Sequence, residues 1–101
     1  MRSLEHKGPG FQKISAKVVV PNLLGLHARA CARIAWVAKE YEASLTLGSE
    51  EERVEAKSIL GLGMLCAPVG AEVEIVGVGP DAESAVLALS RLIQSGFGES
   101  W

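Results

Sequence analysis

His27 and Arg29 are the residues of this chain whose placement invites chemistry, because they stand where a glycine-containing loop, Leu23 to Leu26, meets a helix-period segment beginning at Ala28. The N-terminus of a helix presents backbone N–H groups that lack intrahelical partners, together with the positive end of the macrodipole, and the two hold an anion such as phosphate. That field favours a neutral imidazole, which keeps a lone pair and can attack phosphorus. A planar guanidinium two residues further on can grip phosphoryl oxygens in a way a lysine ammonium cannot. Phosphoryl transfer asks mainly for positioning and charge neutralisation. His27, Arg29 and the backbone N–H groups of Ala28, Arg29 and Ala30 would supply both with no cofactor. A solvated helix cap explains the same local pattern and stands beside this reading. His27 and Cys31, at i and i+4, could share a metal ion, but no third ligand lies nearby and no metal site is expected. Ser58 precedes the apolar run Ile59–Leu65 and is placed as the N-cap of a second helix, a role worth about 1 kcal/mol by itself.

The elements that must position these residues follow from periodicity. Residues 1–12 mix charge with Gly8, Pro9 and Gly10 and read as a tail, leaving 13–98 as the folded domain. From Lys13 the pattern has period two, with Ile14, Ala16, Val18 and Val20 on the inner face of a first strand. From Ala28 it has a helical period: Ala30, Ile34, Val37, Ala38 and Tyr41 face the core with Cys31 at their edge, while Arg29, Arg33, Trp36 and Glu40 face solvent. Ser44–Leu47 and Arg53–Glu55 form a hairpin with Leu45 and Leu47 inward. Ile59–Leu65 is a short helix weakened by its glycines, with Leu62 and Leu65 reaching the core. A strand through Glu72–Ile75 precedes a last helix, capped by Asp81 and stopped by Gly96, whose core stripe is Ala85, Val86, Leu89, Leu92 and Ile93. The order β-α-β-β-α-β-α implies an α+β fold, one antiparallel sheet covered on one face by helices.

Composition removes several classes of function. With 101 residues there is room for one small domain, and 49% apolar against 22% charged residues describes a folded globule. Ten Lys and Arg against twelve Asp and Glu give a net charge of −2, so nothing draws the chain to nucleic acid or anionic lipid, and the strands carry no aromatic platform for RNA. The longest apolar stretch, Ile59 to Ala71, is shorter than the ~20 residues a bilayer span needs and is broken by Gly61, Gly63, Pro68 and Gly70. No membrane insertion is expected. The N-terminal segment lacks the apolar core of a secretory signal, so the cytoplasm is the expected compartment. Cys31 and Cys66 form no zinc-type cluster and are expected as free core thiols, and His6 as a solvated side chain.

The run Asn22-Leu23-Leu24-Gly25-Leu26-His27-Ala28-Arg29-Ala30, followed by an amphipathic helix and then by Ala56-Lys57-Ser58-Ile59-Leu60, resembles the histidine-containing phosphocarrier (HPr) family of the phosphoenolpyruvate-dependent phosphotransferase system, across about residues 13–98. The resemblance implies an open-faced β-sandwich of four antiparallel strands and three helices. It implies a monomeric carrier, not an enzyme with turnover of its own. A phosphoryl group originating in phosphoenolpyruvate would pass from enzyme I to Nδ1 of His27 and on to an enzyme IIA component, with Arg29 neutralising the phosphohistidine. Ala30 departs from the proline frequent in the family and leaves one more N–H at the helix tip. Together with the ending Ile93-Gln94-Ser95-Gly96-Phe97-Gly98 it resembles the nitrogen-related branch, whose acceptor is a regulatory protein, more than the sugar-transport branch. The resemblance also implies phosphorylation of Ser58 by an ATP-dependent HPr kinase/phosphorylase, slowing transfer by repulsion from the acidic surface expected of enzyme I. Exposed Ile59 and Leu60, with Arg33 and Trp36, would form the docking surface. The rival reading is a regulatory module of HPr shape that docks a kinase or transcription regulator and relays no phosphate.

Overall fold

The computed structural model describes residues 12–49 and 51–99, so the expected tail over 1–12, His6 included, lies outside the described residues but for Gln12. The elements are β1 (Gln12–Val19), α1 (Ala28–Ala38), β2 (Ser44–Gly48), β3 (Arg53–Glu55), α2 (Ile59–Leu65), β4 (Glu72–Gly79) and α3 (Ala82–Gln94), followed by a 3-10 turn at Gly96–Gly98. The strands form one antiparallel sheet in the order β1-β4-β2-β3. This is the expected open-faced sandwich.

Register explains which face is covered. Ala16 lies opposite Ile75 and Val18 opposite Val73, while Leu47 faces both Ile75 and Val54. These side chains share one face, and Leu45, Leu47 and Ile75 are fully buried there, with α3 packed on the sheet. The alternate residues make the open face, where Lys17 is opposite Glu74 and Arg53 pairs with Glu74. At Gly77 a Cβ would come within 2.8 Å of Val86 Cγ2 and 3.1 Å of Leu45 Cδ2. The missing side chain lets α3 settle directly onto β4.

Helix α1 buries Ala30, Cys31, Ile34, Ala35 and Ala38. The apolar stripe is therefore turned toward Ala35 relative to expectation, leaving Val37 and Tyr41 only half-buried at its margin. Of the two cysteines, Cys31 is buried but Cys66 is exposed. Cys66 stands past the last turn of α2 in left-handed conformation, φ 53°, which takes its side chain off the apolar face of that helix. Burial raises the Cys31 thiol above its ordinary range, with Cys66 adding to the effect. Leu62 reaches the core and Leu65 only its edge.

The start of α3 also differs from expectation. Asp81 makes no side-chain cap. Its carboxylate turns to the loop after α1, accepting hydrogen bonds from the N–H groups of Glu42 at 2.9 Å and Ala43 at 2.8 Å. Gln12 supplies a bond at the helix tip instead, its Oε1 accepting from the Glu83 N–H at 2.9 Å. The bonds from Glu42 and then Ala43, with the Lys57 charge adding, hold the Asp81 carboxyl below its usual range. A carboxylate whose folded pKa is depressed contributes stability that is present above its unfolded value and lost as pH falls through the folded one. Asp81→Ala is therefore less stable than wild type at pH 7, and the gap closes as pH falls below about 4. Urea midpoints at a series of pH values measure it, and a pH-independent gap contradicts the assignment.

Candidate functional site

The loop before α1 is tied closely to the chain after α2. Leu26 donates its N–H to the Ala67 carbonyl at 2.9 Å, and the N–H of His27 bonds the Gly25 carbonyl at 2.9 Å. Gly25 has φ +66°, and a Cβ there would lie 2.6 Å from the Ala67 carbonyl oxygen. Only glycine gives this turn both its left-handed backbone and its close approach. His27 is thereby delivered as the N-cap residue of α1 in extended conformation.

The imidazole is about a quarter exposed. Nδ1 turns into the helix mouth and accepts from the Ala30 N–H at 3.4 Å. Nε2 points the other way and bonds the Glu99 carboxylate. Arg29 is exposed at the same tip. The other Glu99 oxygen accepts from Asn22 Nδ2 at 2.9 Å. These bonds, from His27 first and then Asn22, with the charges of His27 and Arg29 adding, hold the Glu99 carboxyl below its usual range.

The structure gathers most of the residues expected from sequence. Ser58 caps α2, its Oγ accepting from the Gly61 N–H at 3.0 Å. Replacing it with alanine removes this bond and lowers stability by about 1 kcal/mol, read from the urea midpoint. No change in midpoint would mean that the cap contributes nothing. Trp36 and Leu60 are 74% and 81% exposed and Ile59 is 49% exposed. Arg33 is exposed too but is not free, since its Nη1 donates to the Phe97 carbonyl at 2.8 Å. The His27 and Cys31 side chains diverge, the thiol turning to the Leu26 carbonyl at 3.3 Å. Among the described residues no three His, Cys, Asp or Glu side chains gather as a metal site.

Asn22 and Glu99 escape sequence reasoning. Asn22 follows Pro21 in what reads as a turn, and Glu99 lies past the last periodic residue, beyond the 13–98 limit. Their pairing carries no local signal, because the two residues are 77 apart in the chain.

An open antiparallel sheet backed by helices makes a small α+β domain, and it presents an imidazole at the mouth of its first helix beside an arginine. A family model described as the HPr component phosphorylation site of the phosphotransferase system (PTS) matches residues 14–95. The phosphocarrier protein NPr of Shewanella violacea is 38% identical over 87% of this chain and 97% of its own length. The phosphocarrier protein HPr of Cupriavidus necator is 41% identical over 77% of this chain and 88% of its own. The crystal structure of HPr-C-His from Thermoanaerobacter tengcongensis superposes with a TM-score of 0.83 at 33% identity, covering 87% of this chain and 99% of that one. The chain belongs to the HPr family of phosphotransferase-system phosphocarriers. Members of this family are phosphocarriers, not catalysts in the usual sense. Among the described residues no helix is long and apolar enough to cross a membrane.

Proposed function

We propose that this chain accepts a phosphoryl group on Nδ1 of His27 from phospho-enzyme I and passes it to an enzyme IIA component. The observation that carries the reading is the direction of Nδ1, which turns to the Ala30 N–H at the start of α1 with Arg29 exposed at the same tip. A phosphoryl group bonded there would meet the backbone N–H groups of Ala28, Arg29 and Ala30, and the Arg29 guanidinium would offset its charge. In the first transfer the Nδ1 lone pair forms the bond to phosphorus while the donor's bond breaks and its electrons leave with the donor. The reverse step hands the group to the acceptor.

Docking is assigned to the apolar surface around the site. Leu23, Leu24, Trp36, Leu60 and Met64 are all at least 69% exposed, and a groove of about 410 Å³ runs between Trp36 and Ile59. Such a patch suits brief contact with two larger partners in turn. Ala30, with the similarity to NPr, favours a nitrogen-related acceptor, and the cytoplasm is the compartment this relay requires. Ser58, half-buried at the α2 cap, is the proposed site of an ATP-dependent HPr kinase/phosphorylase, where a dianion would be tolerated by the helix and would repel an acidic partner.

The test is incubation with phosphoenolpyruvate and enzyme I, followed by intact mass, acid treatment and mapping of the modified residue. One acid-labile phosphoryl group on His27 is expected. An unmodified chain in the presence of a competent enzyme I contradicts the relay.

A further inference from the structure

One group reaches the His27 ring from a part of the chain 72 residues away. The Glu99 carboxylate meets Nε2, and its second oxygen is held by Asn22, which is wholly buried. The same Asn22 Nδ2 donates to the Gly25 carbonyl at 2.8 Å, so one amide joins the loop before His27 to the segment after α3. That segment is itself pinned. Gly96, Phe97 and Gly98 all have positive φ, at 69°, 60° and 74°. The Phe97 ring is buried, and its carbonyl is clamped by Arg33. A phenylalanine keeps a left-handed backbone only where its surroundings over-determine it. Glu99 is thus presented to the ring by a built turn.

The hydrogen-bond pattern around the ring fits one of its tautomers. Nδ1 accepts from Ala30, so it holds a lone pair, and Nε2 holds the hydrogen it donates to Glu99. We propose that Glu99 is a positioning residue for phosphoryl acceptance, holding His27 as the Nε2–H tautomer, aiming the Nδ1 lone pair at the helix mouth and offsetting the positive charge the ring gains as phosphorus bonds. This rests on the phosphocarrier reading of His27. The Nδ1 lone pair becomes the P–N bond, the donor leaves with the electrons of the broken bond, and Nε2 keeps its proton throughout, so transfer needs no proton movement. A carboxylate on the far nitrogen is a general way to orient a reacting imidazole. The charged groups facing the ring are Glu99 from the C-terminal turn and Arg29 from α1, with Arg33 clamping that turn from the same helix.

The test uses the full chain and two variants, Glu99→Gln and Glu99→Ala. Nitrogen-15 shifts of the His27 ring are read at a pH where the ring is neutral, alongside the rate of phosphoryl uptake from phospho-enzyme I. Wild type shows the Nε2–H tautomer. Glu99→Ala shows a mixture and takes up phosphate about tenfold to a hundredfold more slowly. Glu99→Gln keeps an acceptor oxygen without the charge, so it keeps the tautomer and has an intermediate rate. A wild-type ring that is Nδ1–H or evenly mixed overturns the proposal, as does a Glu99→Ala chain with the wild-type tautomer or rate. The ring spectra need no partner, so a chain that accepts no phosphate defeats the relay reading while the spectra still decide the role of Glu99.

Discussion

His27→Ala takes up no phosphoryl group from phospho-enzyme I where the wild-type chain takes up one, and the loss is complete, not graded. The reason is stoichiometric: Arg29 and the N–H groups at the start of α1 would still attract a phosphate, but no atom remains to bond phosphorus. The fold should survive the change. The His27 side chain is a quarter exposed and its capping bond is long, at 3.4 Å, while the buried cluster around Ile34, Leu45, Ile75 and Leu89 is untouched. Losing the cap costs about 1 kcal/mol, a small part of the stability of a domain this size. Intact mass before and after acid treatment, with circular dichroism to confirm folding, gives the result directly. An acid-labile phosphoryl group that persists in folded His27→Ala moves the acceptor elsewhere, with His6 the other imidazole to examine. The same variant divides a relay from a module that only binds, since docking through Trp36, Ile59 and Leu60 does not need the ring.

How much of this was legible beforehand depends on how local each signal is. Strand β1 and helix α3 announce themselves through periods of two and 3.6, because one face of each must be apolar to be covered. The caps at His27 and Ser58 are equally visible, since a cap bonds only three residues ahead. Asp81 shows where that reasoning stops. It has the right type and place for a cap, yet the N–H groups of Glu42 and Ala43 in the loop take its carboxylate, which the helix then does without. The choice is tertiary and leaves no trace in the pattern around Asp81. Ala35 and Val37 make the same point in the core. Valine is the more apolar, yet α1 packs with the small Ala35 fully buried and Val37 at its margin. The site divides likewise, with His27 and Arg29 readable from their loop and helix. The pairing of Asn22 with Glu99 is visible only in the folded chain, which brings together residues 77 apart.

Gly25→Ala should carry the largest stability loss of any single added methyl group near the site. Two independent costs fall on that carbon. The backbone at φ +66° is left-handed, which an L residue adopts at roughly 1–3 kcal/mol. The Cβ would also stand 2.6 Å from the Ala67 carbonyl oxygen and 3.0 Å from Pro68 Cα, both backbone atoms with no rotamer to give way. To make room the loop must withdraw, and the Leu26 N–H loses the Ala67 carbonyl it now meets at 2.9 Å, a further ~1 kcal/mol. The sum is about 2–4 kcal/mol, a fall in Tm of roughly 10–20 °C for a domain of this length. A Tm within about 2 °C of wild type sinks the argument. The displacement also reaches the chemistry, because the Gly25 carbonyl accepts from both the His27 N–H and Asn22 Nδ2. Phosphoryl uptake measured well below the new Tm should therefore be slower than in wild type although the chain is folded. The methyl group then acts on the angle at which the loop presents His27 to the helix, as distinct from the amount of folded protein.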